Sequence, residues 1–472
     1  MKRTLKLGLV ALSAASAAMP LLASQAAYAD YAPSQSDVVG TGSDTLQYMI
    51  DFMADGNAYG NVGFNTTGPH NKLVNIDATA DFNARLAFDA NGNNGNGNGA
   101  AATCGPGSGT TAGTGNTGGT VAVTGPCVLN PTVVLRAGLQ GAQRPNGSGA
   151  GFKALAGDVT DGTHTLNYSR ASGAQHPGTT YGSCGSATSA CFDSIIVGHE
   201  NVEMIAANGT TGHTTNAVAL TSTQLTAIYS ANTTGTNALG GTGCVTWNEV
   251  GGTSLDTIIP LIPQPGSGTR SFFLGALGLT SPGNCTVISE ENDPTAIGSS
   301  SVPADTIEPM SAGRLNMFLG LDGNGKSGGI GGYFLDSTCG FDANTTTGAN
   351  ACGTGTGATY FTNPLAPPVT PITGATTFPR DLYMYFRDSD INSTTPLEPG
   401  GSVNWLRSLF YNPCQTGQTG CVTTTDPEGA TVTYGPGGAP FIDTTAGFND
   451  ILQAGVSPRD PVATGDFTRG GI

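Results

Sequence analysis

Apolar positions along the chain recur in one sequence of patterns: a short apolar run, a Gly/Ser turn, then residues at helical spacing. Residues 257–262 read as a strand, Gln264-Pro265-Gly266-Ser267-Gly268-Thr269-Arg270 as a turn, and residues 271–277 as the first turns of a helix. Earlier, Val38-Val39 feeds Gly40-Thr41-Gly42-Ser43-Asp44-Thr45, after which Leu46, Met49, Ile50 and Met53 mark one helical face. A third unit runs from a strand at 131–136 through Asn146-Gly147-Ser148-Gly149 into a helix carrying Phe152 and Leu155. Residues 166–172 read as a strand end with hydroxyls around Arg170. Further on, 192–198 and 202–207 read as two short strands and 220–229 as a capped helix. Residues 295–299 read as a short strand and turn, 378–386 as an alternating strand and 403–411 as an amphipathic helix. Alternating strands and helices predict an α/β fold, whose sites lie beyond the carboxyl ends of the strands.

Two stretches break this pattern. Residues 90–126, with the run Asn91-Gly92-Asn93-Asn94-Gly95-Asn96-Gly97, cannot bury a core and are expected to form a surface insertion pinned by a disulfide. Residues 340–375 read as Gly/Thr/Asn/Pro loop. Asp89 with Asn91 and Asn93, and Asp322-Gly323-Asn324-Gly325, have a faint calcium-loop character. Neither has the closing Glu at the twelfth position, so both are expected to be solvated turns.

The first residues change the cellular picture. Lys2, Arg3 and Lys6 precede an apolar stretch at 7–22, and Ala27-Tyr28-Ala29 fits the small-x-small rule for signal cleavage after Ala29. The apolar core is short and rich in Ala and Ser, unlike an anchor, and no Cys stands at the cleavage point for a lipid. The expected protein is exported, periplasmic or extracellular, and not lipid-anchored. The mature chain of about 443 residues suits two domain-sized units or one two-lobed protein. The full chain has a net charge of −16, and loss of the basic leader makes it about −19, which argues against nucleic acid or an anionic membrane as partner. An anionic ligand is not excluded, because local donors decide binding in a closed cleft.

Ten cysteines in an exported chain point to disulfides. The simplest pairing is sequential: Cys104–Cys127, Cys184–Cys191, Cys244–Cys285, Cys339–Cys352 and Cys414–Cys421. There is no CxxC, and the five histidines (His70, His164, His176, His199, His213) form no metal-ligand spacing, so no metal or cofactor is expected. None of these histidines is linked by a motif to Ser267, and no enzyme is expected.

The turns carry the candidate chemistry. The first N–H groups of a helix have no intrahelical partner, and the helix dipole places partial positive charge there. Gly266 and Gly268 allow close backbone approach, Ser267 and Thr269 add hydroxyls, and Arg270 adds a fork of N–H groups, expected to be the main positive charge of the site. Among 72 glycines each turn is equally well read as a Ser/Thr-capped helix start, and 264–270 lacks the Lys-Ser/Thr pair of a P-loop. Several helix starts meeting in one cleft would bind a tetrahedral oxyanion without a catalytic group. Ser43, Asp44, Thr45, Ser148, Arg170, Ser172, Ser267, Gly268, Thr269 and Arg270 are the candidate ligands.

The order of these motifs resembles the periplasmic phosphate-binding proteins that feed the high-affinity phosphate ABC importer, which are type II solute-binding proteins. The resemblance covers most of 36–460. It runs through Gly40–Thr45, the Asn146–Lys153 turn, Asn167-Tyr168-Ser169-Arg170-Ala171-Ser172, the segment from Leu220 to Trp247, Gly266-Ser267-Gly268-Thr269 and the strand at 378–386. It implies two α/β lobes joined by crossing strands, with 30–203 plus 378–472 as one lobe and 204–377 as the other. It also implies phosphate bound between the lobes, a membrane ABC permease as partner, and a monomer. By position, Ser148, Ser267, Gly268 and Thr269 would hydrogen-bond the anion. The family usually has Arg where this chain has Pro263, and often Asp near Ser172. Asp44 would then be the acceptor that tells hydrogen phosphate from sulfate; the alternative is that it caps its helix. Another oxyanion, such as sulfate or molybdate, and a secreted adhesin or surface protein on the same fold remain open.

Overall fold

The computed structural model describes residues 33–56, 61–66, 71–76, 78, 111–112, 120–121, 132–133, 135–137, 139, 142–143, 145–161, 165–174, 191–207, 219–292, 296–297, 300, 302–319, 321–324, 369–391, 404–461 and 467–468. Residues 1–32, most of 90–126 and Cys104, Cys127, Cys184, Cys339 and Cys352 lie outside them.

One sheet runs through the molecule. Nine of its eleven strands are β1 (Val38–Gly42), β2 (Leu73–Asn75), β3 (Tyr168–Ala171), β4 (Phe192–Ala207), β5 (Ile259–Pro263), β6 (Val287–Ser289), β7 (Thr306–Ser311), β8 (Val369–Pro371) and β9 (Phe378–Arg387); the short pieces Ser457–Pro458 and Phe467–Thr468 also pair with β4. Their order is β6-β5-β7-β4-β9-β3-β1-β2, with β8 pairing β4 off this path. The strands at each end are parallel: β2, β1 and β3 at one end, and β6, β5 and β7 at the other. Between them β4 and β9 run antiparallel to each other and to their outer neighbours.

Those two strands join two cores. Ile195 and Val197, early in β4, pack with the helix α1 (Gln47–Asp55), whereas Val202, Met204 and Ala206, late in β4, pack with α3 (Ser222–Ser230) and Trp247. In β9, Phe378 belongs to the second core, and Leu382, Met384 and Phe386 to the first. The expected two-lobed α/β fold is therefore present. The first lobe also carries α2 (Ser148–Asp161) and α7 (Thr445–Gln453), and the second α4 (Gly268–Ala276). Two further helices, α5 (Ala312–Leu319) and α6 (Trp405–Leu409), complete the elements used below.

Local chemistry accounts for most boundaries. Thr221 and Gln224 form a reciprocal capping box at the start of α3. Ser267 caps α4 by accepting from the Arg270 N–H, and Asn404 caps α6 by accepting from Arg407. In the second core, Phe273 of α4 stands edge-on to Tyr229 at 4.9 Å and to Phe378 at 5.5 Å. Truncating such a fully buried ring costs about 3–5 kcal/mol. Trp247 is buried and donates its indole N–H to Asp305 at 2.9 Å, so its one polar atom is satisfied.

Four expectations need correction, the first being that 340–375 is all loop, since Val369–Pro371 within it pairs with β4. Residues 192–207 form one strand rather than two. Gly198-His199-Glu200-Asn201 stays extended because β9 pairs with it, Arg380 facing Glu200 and Asp381 facing His199. Ala296 and Ile297 are helical rather than extended, and both are buried. The helix expected at 403–411 is confined to Trp405–Leu409, with the backbone turning at Phe410. Two sequential disulfides, Cys244–Cys285 and Cys414–Cys421, are formed. Cys191 is also disulfide-bonded, and its expected partner Cys184 lies outside the described residues. Thr111–Ala112 pairs with Thr120–Val121 within the 90–126 insertion. Asp322 accepts from the Asn324 N–H, as in a plain turn. No described helix is long and apolar enough to cross a membrane.

Candidate anion site between the lobes

The three turns read from the sequence meet where the lobes touch. The first follows β1, the second opens α2 and the third opens α4. Parallel pairing of β1 with β3 sets Gly42 beside Arg170, which places the first turn next to the end of β3. The N–H of Gly149, at the start of α2, donates to the Gly266 carbonyl of the opposite turn at 3.0 Å.

The hydroxyls cluster around the start of α4. Ser148 and Ser172 lie 3.3 Å apart, and the Ser172 N–H donates to Ser148 Oγ at 3.1 Å. Both hydroxyls sit against Gly268: a Cβ there would fall 2.2 Å from Ser148 Oγ and 2.5 Å from Ser172 Oγ. Thr269 Oγ1 is 3.5 Å from Thr45 Oγ1 across the cleft. All of these side chains are buried.

A guanidinium that the turn motifs did not reveal is bonded to this cluster. Arg380, on β9, donates from Nη1 to Thr269 Oγ1 at 3.0 Å and to the Ser172 carbonyl at 2.8 Å, and from Nη2 to Thr45 Oγ1 at 3.4 Å. Its guanidinium is held by Glu200, which accepts from both Nε and Nη2. Glu200 in turn accepts from the Ser311 hydroxyl and, at 2.9 Å, from the Gly313 N–H. Cross-strand pairing of β4 with β9 fixes this pair directly opposite each other. A bidentate pair in a buried setting is oriented more tightly than one at the surface.

Arg270 and Arg170 occupy other places. Arg270 is half-buried, and its Nη1 donates back to the Pro263 carbonyl at 2.8 Å. Burial lowers its pKa. Arg170 is fully buried beneath the first turn. It donates to the carbonyls of Ser43 and Ile76 and to Asn75, and so ties β3 to the segments after β1 and β2. Ser43 is buried there, and its N–H donates to the Arg170 carbonyl at 3.0 Å. Ser267 is used as the α4 cap. The residue at the N-cap of α1 is Leu46, which makes no side-chain cap hydrogen bond. Asp44 Oδ2 accepts from Asn292 at 3.2 Å and lies 3.8 Å from Arg314 Nε. Arg314, from α5, also stacks over the Tyr48 ring at 4.1 Å.

Acidic and amide groups beyond β6 complete the cluster. Glu291 Oε1 accepts from the Thr269 N–H at 3.3 Å and from Thr45 Oγ1 at 3.5 Å. Burial first, then the nearby Asp44, push its carboxyl above the usual range; Thr269, Arg380 and Ser267 pull the other way. Glu290 accepts from Asn146 at 2.9 Å and from Gln264 at 3.3 Å. Asn292 has φ 56°, the left-handed region that Asn tolerates, and donates to Thr45 while accepting from the Ser311 N–H. The one available signal was position. Glu290-Glu291-Asn292 follows a strand parallel to β5, so its polar run leaves the sheet at the same carboxyl edge as the third turn.

An open pocket of about 330 Å³ beside the crossing strands is lined by His199, Glu200, Asn201, Pro379, Arg380 and Asp381 together with Ser457, and so reaches the Glu200–Arg380 pair from outside. Among the described residues, Cys191, Asp193 and Asp388 lie close enough to share a metal, but the Cys191 sulfur is in a disulfide and offers no thiolate.

No protein-family model and no curated protein sequence matches the chain. Among solved structures it is similar to a protein assigned as a phosphate ABC transporter substrate-binding protein, with bound phosphate, from Clostridium perfringens. That match has 12% identity over 75% of this chain and 87% of the other, with a TM-score of 0.35. It is also similar to the high-affinity periplasmic phosphate-binding protein PfluDING bound with phosphate (10% identity, 74% and 80% covered, TM-score 0.30). A third is an ABC-type phosphate transport receptor from Vibrio cholerae (18% identity, 36% and 58% covered, TM-score 0.24). These are proteins of the kind that the motif order resembles; at such identities and TM-scores, the functional reading rests on the geometry of the site itself.

Proposed function

We propose that this chain is an exported solute-binding protein that encloses inorganic phosphate between its two lobes for ABC-type uptake, without catalysis. The reading includes signal cleavage after Ala29, lobes divided near 203/204 and 377/378, a membrane permease as partner and a monomeric state. One observation carries it. The helix start at Gly268-Thr269 in one lobe faces the hydroxyls of Thr45, Ser148 and Ser172 in the other, with the Arg380 guanidinium bonded to Thr269 and close to Thr45. Backbone N–H groups, hydroxyls and a buried fork of positive charge are the donors a tetrahedral oxyanion takes. Ser267 caps α4 by accepting from the Arg270 N–H, which supports a binding role for this turn.

Of the residues proposed from sequence, Thr45, Ser148, Ser172, Gly268 and Thr269 form the binding set, with Arg380 as its cation. Arg170 and Ser43 support the first turn from behind, and Arg270 braces the strand before the third. Calorimetry on the stripped mature protein with phosphate, sulfate and arsenate tests the reading. Phosphate is expected to bind one per chain and more tightly than sulfate; no heat with any of the three would overturn it.

A further inference from the structure

The cleft contains more negative than positive side chains among the described residues. Asp44, Glu200, Glu290 and Glu291 stand with Arg380 and Arg314. Two of the carboxylates have evident structural partners: Glu200 is bonded to Arg380 and Ser311, and Glu290 to Asn146 and Gln264. Glu291 is different. Its Oε1 sits on the backbone N–H of Thr269 and the hydroxyl of Thr45, donors from opposite lobes. These are the groups that the proposed oxyanion would use.

We propose that Glu291 is a built-in competitor for the anion site, whose carboxylate holds the Thr269 and Thr45 donors until a bound oxyanion replaces it and Glu291 takes up one proton. The proposal rests on the oxyanion-binding reading above. In the exchange Glu291 COO⁻ gains a proton from solvent, its oxygen leaves the Thr269 N–H, and an anion oxygen takes that N–H. The resulting carboxyl group is neutral and has an O–H to donate to the anion. An ionised carboxylate left in the closed cleft would meet the anion with two acceptors opposed and like charges adjacent.

The surroundings favour that proton. Facing Glu291 from the first turn is Asp44, itself close to Arg314 of α5. From β9 comes Arg380, whose charge is shared with Glu200 of β4. From α4 come the Thr269 N–H and the Ser267 side chain. Glu290, the preceding residue, is turned toward Asn146 and Gln264. Burial and Asp44 raise the carboxyl's affinity for a proton, and the donors on α4 and β9 lower it. Anion binding should therefore strengthen toward acid pH by more than the anion's own titration explains.

Phosphate affinity measured by calorimetry from pH 5 to pH 8, on the stripped wild-type protein and on Glu291→Gln and Glu291→Ala, decides the matter. Phosphate's own protonation is common to the three proteins, so differences between their pH profiles report Glu291. One proton taken up per anion makes the wild-type affinity fall up to about tenfold more per pH unit than that of the variants. Both variants should bind phosphate at pH 8 at least about tenfold more tightly than wild type and converge with it at pH 5. Variants that keep the wild-type profile, or bind more weakly at pH 8, overturn the inference and leave the oxyanion reading standing. If neither wild type nor variants bind any oxyanion at either pH, the reading itself falls and the inference with it.

Discussion

The N–H of Gly149 donates to the carbonyl of Gly266 across the interface between the lobes, at 3.0 Å. The bond joins the start of one anion-type turn to the next without a side chain, and it requires Gly147 beside it to stay small. Gly147 has φ 92°, and a Cβ there would lie 2.7 Å from the Gly266 carbonyl oxygen. Gly147→Ala should cost about 1 kcal/mol in backbone strain and prevent this approach. Its expected signature is phosphate affinity weaker by about tenfold with a melting temperature that falls only a few degrees. Wild-type affinity in a folded Gly147→Ala protein would show that the two turns need not touch.

Arg380 is expected to carry the charge of the site. Replacing it alone leaves Glu200 buried and unpaired, so the informative protein is the double variant Arg380→Met with Glu200→Gln. It should remain folded and lose about 2–3 kcal/mol of phosphate binding, the value of a charge-assisted bond. Arg270→Ala should change affinity by less than about threefold, because its guanidinium is turned to the Pro263 carbonyl. The opposite ranking of the two arginines in a titration would return the role to Arg270.

That contrast separates what the sequence disclosed from what it withheld. Ser148, Ser172, Gly268 and Thr269 were legible because a strand, a glycine turn and a helix start leave a local pattern, and the parallel sheet brings such turns to one edge. Arg380 and Glu200 meet only through the register of two strands separated by 180 positions, which no local pattern records. The same register explains the misreading of β4: Gly198-His199-Glu200-Asn201 looks like a break, yet pairing with β9 keeps it extended. Glu291 and Asn292 lie in a loop whose polar run resembles an ordinary turn, and only the position of β6 beside β5 brings it to the site. Asp44 could be read as a cap or a ligand; its pairing with Asn292 and Arg314 depends on chain that arrives some 250 residues later.

The cysteine bridges are expected to contribute unequally. Cys244–Cys285 spans a sequence separation of 41 and Cys414–Cys421 one of 7. On chain-entropy grounds their removal as Ser pairs should cost about 4 and about 2 kcal/mol. Urea unfolding of the two double-Ser variants measures this, and an equal loss from both would contradict the loop-length argument. Non-reducing peptide mapping should also find the remaining cysteines paired in sequence with no free thiol.

Asp450 gives the fold a pH dependence of its own. It is buried on α7, and burial pushes its carboxyl from 3.8 to about 8, against the pull of a hydrogen bond with Asn61. The folded form therefore holds a proton that the unfolded chain releases. This contribution to stability is fully present below the unfolded pKa and is lost as pH rises toward 8. Wild type should lose about 3–4 kcal/mol more between pH 5 and pH 8 than Asp450→Asn, read from urea midpoints. Parallel losses in the two proteins would place Asp450 in a more hydrated setting.

The central claim is that Gly268 and Thr269 close on an oxyanion together with Ser148, Ser172, Thr45 and Arg380. Gly268→Ala tests it most directly, because the added Cβ falls 2.2 Å from Ser148 Oγ and 2.5 Å from Ser172 Oγ, inside the cluster and away from either core. Phosphate titrations of the stripped wild-type and Gly268→Ala proteins, at pH 5 and pH 8, should show one phosphate bound per wild-type chain. The variant should melt within a few degrees of wild type and bind at least about a hundredfold more weakly, a loss of about 2.7 kcal/mol. A folded Gly268→Ala protein that binds phosphate as wild type does would contradict the account.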